Sequence, residues 1–259
     1  MPTDRKSQAI LEVEDVRKSF GGNRVLRGVS FTLPRQVVTA LIGSNGAGKS
    51  TFLNILSGTV AATGGTIRLN GKDLKGLRPH HRARVGLGRT FQHPRTFRTF
   101  TVLDAVVFAQ AHPGSETIWQ SVASTVWVRA SAESVAKRHA EACLDRCRLL
   151  HKASSLAAEL TYGEQKLLMM AQAMAFGGEL ICLDELCAGL EPTLVDQIGE
   201  LVLQLSQEGK TFLVIEHNLE LVRKIAERCV FLHGGLAFRE GVTDQVLSDP
   251  EVVRLYLGD

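Results

Sequence analysis

Aromatic residues are scarce in this chain. Two Trp, 2 Tyr and 11 Phe make up 6% of its 259 residues. Few planar side chains are therefore offered for base stacking, which disfavours a single-strand nucleic-acid binder. An excess of one charge is also lacking: 30 Lys and Arg against 27 Asp and Glu leave a formal +3, too little to argue for nucleic acid by itself. The five cysteines contain no Cys-x-x-Cys pair, which removes the usual spacing of structural zinc. Their odd number and irregular spacing fit buried, reduced thiols in a cytoplasmic protein rather than a disulfide framework. Long apolar runs are missing too. The longest charge-free stretch, Ser50 to Ile67, is rich in Ser, Thr, Asn and Gly, whereas a membrane span takes about 18 or more predominantly apolar residues. The opening MPTDRKSQAILEVEDV mixes charged with apolar residues and has no apolar core of a signal peptide. Neither an internal repeat nor a low-complexity segment occurs.

What is there reads as a folded α/β chain. Hydrophobic residues reach 44% and charged residues 22%, ordinary globular usage that excludes disorder over most of the length. Residues 10–33 read as short alternating strands around a Gly21-Gly22 turn. Gln36 to Ile42 is a buried strand. Residues 65–70 form another, closed by the hairpin signal Asn70-Gly71. Helical spacing runs from about Ser131 to Leu150 and from Gly163 to Phe176. The apolar strand Leu180–Leu183 follows. Thr193 and Asp196 have capping-box spacing and open a helix with the apolar stripe Leu194, Ile198, Leu201, Val202 and Leu205. Thr211–Ile215 is a strand, Leu219–Cys229 a helix and Val230–Leu232 a last strand. The tail Thr243–Leu257 is helical with a break at Pro250. Alternating strands and helices predict a largely parallel sheet, interrupted by an inserted helical lobe at about 95–177.

The sharpest motif is Gly43-Ser44-Asn45-Gly46-Ala47-Gly48-Lys49-Ser50, which fits G-x-x-x-x-G-K-[ST] between a strand and a helix. Glycines let main-chain N–H groups close around phosphate oxygens. The helix that follows, with Thr51 in its first turn, turns its positive end to the anion. Lys49 adds a point charge near the β- and γ-phosphates, and Ser50 a hydroxyl for Mg²⁺. A chance match in this length arises on the order of 1% of the time, before that context is counted.

Two acids end the next apolar strand. Asp184 is the metal-side acid, and Glu185 the base for an attacking water. A lone acid at a strand end is usually just solvated; the phosphate loop tips the balance here. Thr161 and Glu164 have capping-box spacing at another helix start. With Gly163 between them they offer a second anion site, redundant within one subunit but useful if it grips nucleotide held by another.

Together these residues resemble the ATPase subunit of an ABC transporter, over about residues 10–258. The phosphate loop matches Walker A, the strand ending in Asp184-Glu185 matches Walker B, and Leu160–Glu164 stands at the LSGGQ signature. Gly88–Phe97 (GRTFQHPRTF) and Asp249–Asp259 (DPEVVRLYLGD) are similar to the ATPases of branched-chain amino acid importers and their urea or amide relatives. The resemblance implies a P-loop fold with a mainly parallel core sheet, an N-terminal antiparallel β-subdomain and an inserted helical lobe, all one nucleotide-binding domain over 1–259. It implies that Phe20 stacks on adenine, that Gln92 approaches Mg²⁺ and the lytic water, and that His217 contacts the γ-phosphate. ATP and Mg²⁺ are the implied cofactors. The implied partners are a second ATPase, identical or (in this subgroup) distinct, two transmembrane permease subunits and, indirectly, a solute-binding protein. The implied place is the cytoplasmic face of the inner membrane, as a peripheral subunit.

Some positions depart from the family pattern. Thr161-Tyr162 replaces Ser-Gly in the signature, Leu186 a proline, Glu191 the D-loop Asp within Ala188–Pro192, and Gln172 a frequent Arg. None removes a phosphate-contacting group; they bear on turnover. The basic stretch Arg78, His80, His81, Arg82, Arg84 and Arg89 reads either as a solvated face or, by the resemblance, as the flank of a seat for a membrane partner's loop. Phe97, Phe100 and Phe108 could add apolar contacts there, or serve the core. Two other functions compete: a soluble ABC-type ATPase acting on DNA or the ribosome, and a nucleotide-gated structural subunit with weak hydrolysis. Only 67 residues separate Gln92 from Leu160 and one Walker A is present, against the coiled coil or tandem units of the first. Glu185 and His217 speak against the second.

Overall fold

A computed structural model describes residues 9–90, 99–110 and 126–257, with the backbone alone for 126–133. The chain divides into two compact units, Met1–Arg89 with Glu179–Asp259, and Thr90–Gly178.

The first unit holds two sheets. Strands β1 (Ala9–Phe20), β2 (Asn23–Pro34), β4 (Gly64–Leu69) and β5 (Lys72–Asp73) form an antiparallel sheet in the order β2-β1-β4-β5. The first two are twelve residues each, longer than the short strands read from the sequence. Asn70 (φ 52°) and Gly71 (φ 74°) turn β4 into β5, the doubly left-handed turn that Asn-Gly tolerates at low cost.

The second sheet runs β10-β9-β3-β8-β7-β6. Its strands are β3 (Val38–Gly43), β6 (Leu87–Arg89), β7 (Leu180–Asp184), β8 (Thr211–Ile215), β9 (Arg228–His233) and β10 (Leu236–Val242). All pairings are parallel except β10 with β9. Every residue of β3, β7 and β8 is buried, as expected of strands covered on both faces. Hence they read as unbroken apolar runs. The edge strand β10 is half exposed and carries Arg239 and Glu240, so it gave no such run.

Helices of this unit are α1 (Lys49–Ser57), α2 (Pro79–Arg84), α6 (Pro192–Gln207), α7 (Leu219–Ile225), α8 (Thr243–Leu247) and α9 (Pro250–Leu257). The expected Thr193–Asp196 capping box does not form. The helix begins instead from Glu191 with Pro192 in its first turn and no side-chain cap. Proline's fixed φ already suits that position, and Asp196 pairs with Lys224 at 2.7 Å. The helix read over Leu219–Cys229 ends at Ile225, where Ala226 is extended. The next residues serve the sheet: Glu227 N–H donates to Val38 O at 3.0 Å, and Cys229 pairs with Ala40 in the ladder. Strand pairing outweighs apolar spacing here.

The second unit is helical, with α3 (Val102–Gln110), α4 (Val126–Arg146) and α5 (Tyr162–Phe176) packed on one another. Helix α4 starts earlier than expected and stops before Leu150. Arg148 turns left-handed (φ 55°), and Leu149 N–H closes on Leu144 O at 2.8 Å. Val102, Val106, Ala140, Leu144, Leu168 and Met170 form its interior.

All five cysteines are buried and unbridged, as expected. Burial pushes the thiols of Cys147, Cys182 and Cys229 up to about 12, which leaves them inert as nucleophiles at neutral pH.

Candidate functional site

Parallel strands place their carboxyl ends side by side, and the loops that leave them share one edge. Strand β3 lies beside β8, and β8 beside β7. The loops after these strands therefore converge. They carry Gly43–Ser50, Asp184-Glu185 and Glu216-His217. A cleft of about 350 Å³ opens there, lined by Asn23, Val25, Asn45–Thr51, Glu185 and His217.

The loop has the shape that its glycines permit. Gly43 (φ 154°) has no room for a side chain, since a Cβ would lie 2.2 Å from Leu232 O. Gly48 (φ 104°) is the N-cap of α1, and a Cβ there would meet Leu26 at 2.5 Å. No side chain caps α1, whose first residues line the cleft, so its first N–H groups are left for a bound anion. Lys49 is 7% exposed. Its Nζ donates to the carbonyls of Gly43 at 2.6 Å and Ser44 at 3.1 Å. Burial holds this ammonium below its ordinary range, and the Glu185 carboxylate partly restores it. An anion here would replace lost solvation, which is the fit expected of a phosphate site.

The two acids diverge. Strand β7 ends at Asp184, and Glu185 swings off in left-handed backbone (φ 49°). Such a conformation costs a branched or bulky L-residue about 1–2 kcal/mol. Strain of this kind persists where the surroundings over-determine it; here Glu185 N–H donates to Ile215 O at 2.9 Å. The carboxylate stands 3.1 Å from His217 Nε2. Asp184 is 4% exposed and pairs with Arg89 Nη2 at 2.9 Å. Glu216 is buried. Its Oε1 accepts the Cys187 N–H at 2.9 Å, and burial pushes its carboxyl above its ordinary range, partly offset by that N–H.

Phe20 lies outside the lining of the cleft. It is 50% exposed, with Lys18 Nζ 4.7 Å from its ring centre, so it is not a strand-core residue. Gln92 and Phe97 lie outside the described residues. Thr161, Gly163 and Glu164 belong to the helical unit. There Thr161 caps α5: Glu164 N–H donates to Thr161 Oγ1 at 3.3 Å, and Thr161 N–H donates to Glu164 Oε2 at 2.8 Å. Lys152 reaches Glu164 at 2.6 Å, and this contact, with Thr161, holds the Glu164 carboxyl below its ordinary range. Tyr162 is 48% exposed.

The basic stretch is not one solvated face. Arg78 and Arg84 are exposed, but Arg82 is buried. Its guanidinium donates to the carbonyls of Leu56, Leu74, Leu77 and Ile55, the first three at 2.8–2.9 Å, and so closes the end of α1. Arg89 also points inward, to Asn54 Oδ1 and Ser57 Oγ of α1 at 2.9 and 2.8 Å. Charge alone gave no sign of which arginine turns in. Phe108 is 54% exposed and stacks edge-on with Phe100 at 5.7 Å, so it is not core. A larger hollow of about 520 Å³ near Val60, Leu74 and Leu77 has no carboxylate or imidazole on its wall and offers no acid–base chemistry.

A phosphate loop after a central parallel strand, with an acid pair and a histidine at the same edge, defines a P-loop nucleotide-binding ATPase. Comparison with known proteins narrows the class. Residues 26–188 match the family model described as ABC transporter. The chain belongs to the ABC transporter family. It is 37% identical over 254 residues to the high-affinity branched-chain amino acid transport ATP-binding protein LivG of Escherichia coli K12, covering 98% of this chain and 99% of that protein. It is 35% identical to BraF of Pseudomonas aeruginosa, a protein of the same description, over the same shares. A crystal structure of the ADP conformation of an ATP-binding cassette of an ABC transporter superposes with TM-score 0.84 at 33% identity, covering 98% of this chain and 100% of that one.

Proposed function

We propose that this chain is the ATP-hydrolysing motor subunit of an importer for branched-chain amino acids or related small solutes. The observation that carries the reading is the cleft where Lys49, Ser50, Glu185 and His217 meet. The names of the relatives direct the choice of cargo.

Gly43, Ser44, Asn45, Gly46, Ala47, Gly48, Lys49, Ser50 and Thr51 cradle the phosphates, and Phe20 stacks on the adenine. Glu185 accepts the proton of the attacking water. The water oxygen bonds to the γ-phosphorus, the bond to the β–γ bridging oxygen breaks, and ADP leaves with that electron pair. His217 holds the γ-phosphate and orients Glu185. Ser50, on the cleft wall, with Gln92 and Asp184, would hold Mg²⁺, which would neutralise charge on the phosphates.

The chain acts as a single nucleotide-binding domain, 1–259, with residues 95–177 as its helical lobe. Two ATPase subunits, this one and a second, similar chain, enclose ATP between the phosphate loop of one and the Thr161–Glu164 segment of the other. Closure on ATP favours one state of two membrane permeases because bound nucleotide has higher affinity for it. The chain sits as a peripheral subunit on the cytoplasmic face of the membrane; no described helix is long and apolar enough to cross one.

Affinity capture of the tagged chain from detergent-solubilised membranes of its host, with mass spectrometry, tests the assembly. Two polytopic membrane proteins with a second ATPase are expected. Recovery only with ribosomal or DNA-repair proteins overturns the transport reading and leaves the ATPase.

A further inference from the structure

The last described helix, α9, reaches the loop that carries His217. Tyr256 Oη donates to the main-chain carbonyl of His217 at 3.3 Å. The helix is itself well anchored. Asp249 Oδ1 accepts the N–H groups of Glu251 at 2.8 Å and Val252 at 3.3 Å. Arg239, on the edge strand β10, bridges Asp249 and Glu251 at 3.0 Å each. Val252 is buried, and the Tyr256 ring packs 6.4 Å from that of Phe231 on β9. The hydroxyl is thus presented from a fixed platform.

The residue it reaches is in need of fixing. His217 has 45% of its side chain exposed, so neighbours restrain the imidazole little. Its neighbours in the loop are held by their own side chains: Glu216 takes the Cys187 N–H, and Asn218 caps α7 through the N–H groups of Glu220 and Leu221. Holding the His217 carbonyl limits rotation of the one residue whose ring must meet Glu185, and ordering a group before reaction lowers the entropic part of a barrier.

We propose that Tyr256 is a positioning residue for hydrolysis, tying α9 to the His217 loop so that the imidazole stays beside Glu185. The proposal rests on the hydrolytic reading of Glu185 and His217 given above. It makes the edge formed by β10 and α9 part of the catalytic apparatus without touching nucleotide.

Tyr256→Phe in the full chain is the test, because the ring stays in its packing and only the hydroxyl goes. Hydrogen–deuterium exchange of residues 217–221 is expected to rise about three- to tenfold, the value of one ordinary hydrogen bond. Exchange in β9 stays unchanged. In the assembled complex kcat for ATP falls by a similar factor with KM unchanged. Unchanged exchange at 217–221 overturns the proposal, as does a rise shared by β9, which would mean general loosening. Unchanged kcat with a loosened loop overturns it too. A wild-type complex that fails to hydrolyse ATP removes the hydrolytic reading and the catalytic role with it, while exchange still reports whether Tyr256 holds the loop.

Discussion

His217 Nε2 lies 3.1 Å from Glu185 Oε1, across 32 positions of sequence. The contact joins the loops that follow two neighbouring parallel strands, and it aims both side chains into the cleft that holds Lys49. On the proposed reading, a base and the group that orients it are thereby set at one end of a phosphate cradle.

Removing the proposed base separates binding from chemistry. Glu185→Gln is expected to lower kcat by about 10²- to 10⁴-fold while leaving ATP affinity within about twofold, since the amide is isosteric. Turnover assays beside nucleotide titration check this. Near-normal turnover would remove Glu185 as the base.

Lys49 is the proposed phosphate-binding cation. Its Nζ is held among loop carbonyls, and among the described residues no other Lys or Arg lines the cleft. Lys49→Ala is expected to weaken ATP binding about 10- to 100-fold, the worth of one charge-assisted contact or somewhat more. Calorimetric titration reads the change directly, and an unaltered Kd would sink the phosphate-loop assignment.

Arg89 and Asp184 form an ion pair with 10% and 6% of their side chains exposed. Removing one partner leaves a buried charge without its counter-ion. Arg89→Met should therefore cost about 3–5 kcal/mol of unfolding free energy, read from urea denaturation. A loss below about 1 kcal/mol would place the pair in the class of exposed bridges.

Glu164 gives a pH dependence with a definite sign. Its carboxyl lies below the ordinary 4.5 because Lys152 and Thr161 favour the charged form. A depressed acid contributes stability that is fully present above about pH 4.5 and is lost as pH falls through the lower folded value. Carboxyl NMR shifts of Glu164 should titrate below those of a free Glu, and exchange at the start of α5 should rise over the same interval. Thr161→Ala, which deletes the cap, should cost about 1 kcal/mol at neutral pH.

Much of this molecule was legible in one dimension. The Gly43–Ser50 loop, Asp184-Glu185 and the Thr161–Glu164 cap are local patterns, and local patterns survive in sequence. Buried strands β3, β7 and β8 announced themselves because both of their faces are apolar. The edge strand β10 did not, because its exposed face breaks the pattern. The boundary between α7 and β9 was misplaced for a related reason: apolar residues from 221 to 229 fit a helical face and a buried strand alike, and the pairing of residues 227–229 with β3 decides between them.

The sequence by itself determined the chemistry: a phosphate loop, a pair of acids, a histidine after a strand, and reduced cysteines. Tertiary structure alone decided which partners those groups keep. Arg89 turns inward to Asp184, whereas the Arg84 side chain is exposed. Glu216 holds the Cys187 amide, and Tyr256 reaches His217 from a helix 39 positions away. Side chains of one type are alike in sequence. Their roles diverge because burial makes a partner obligatory, and burial is settled only when distant strands pair.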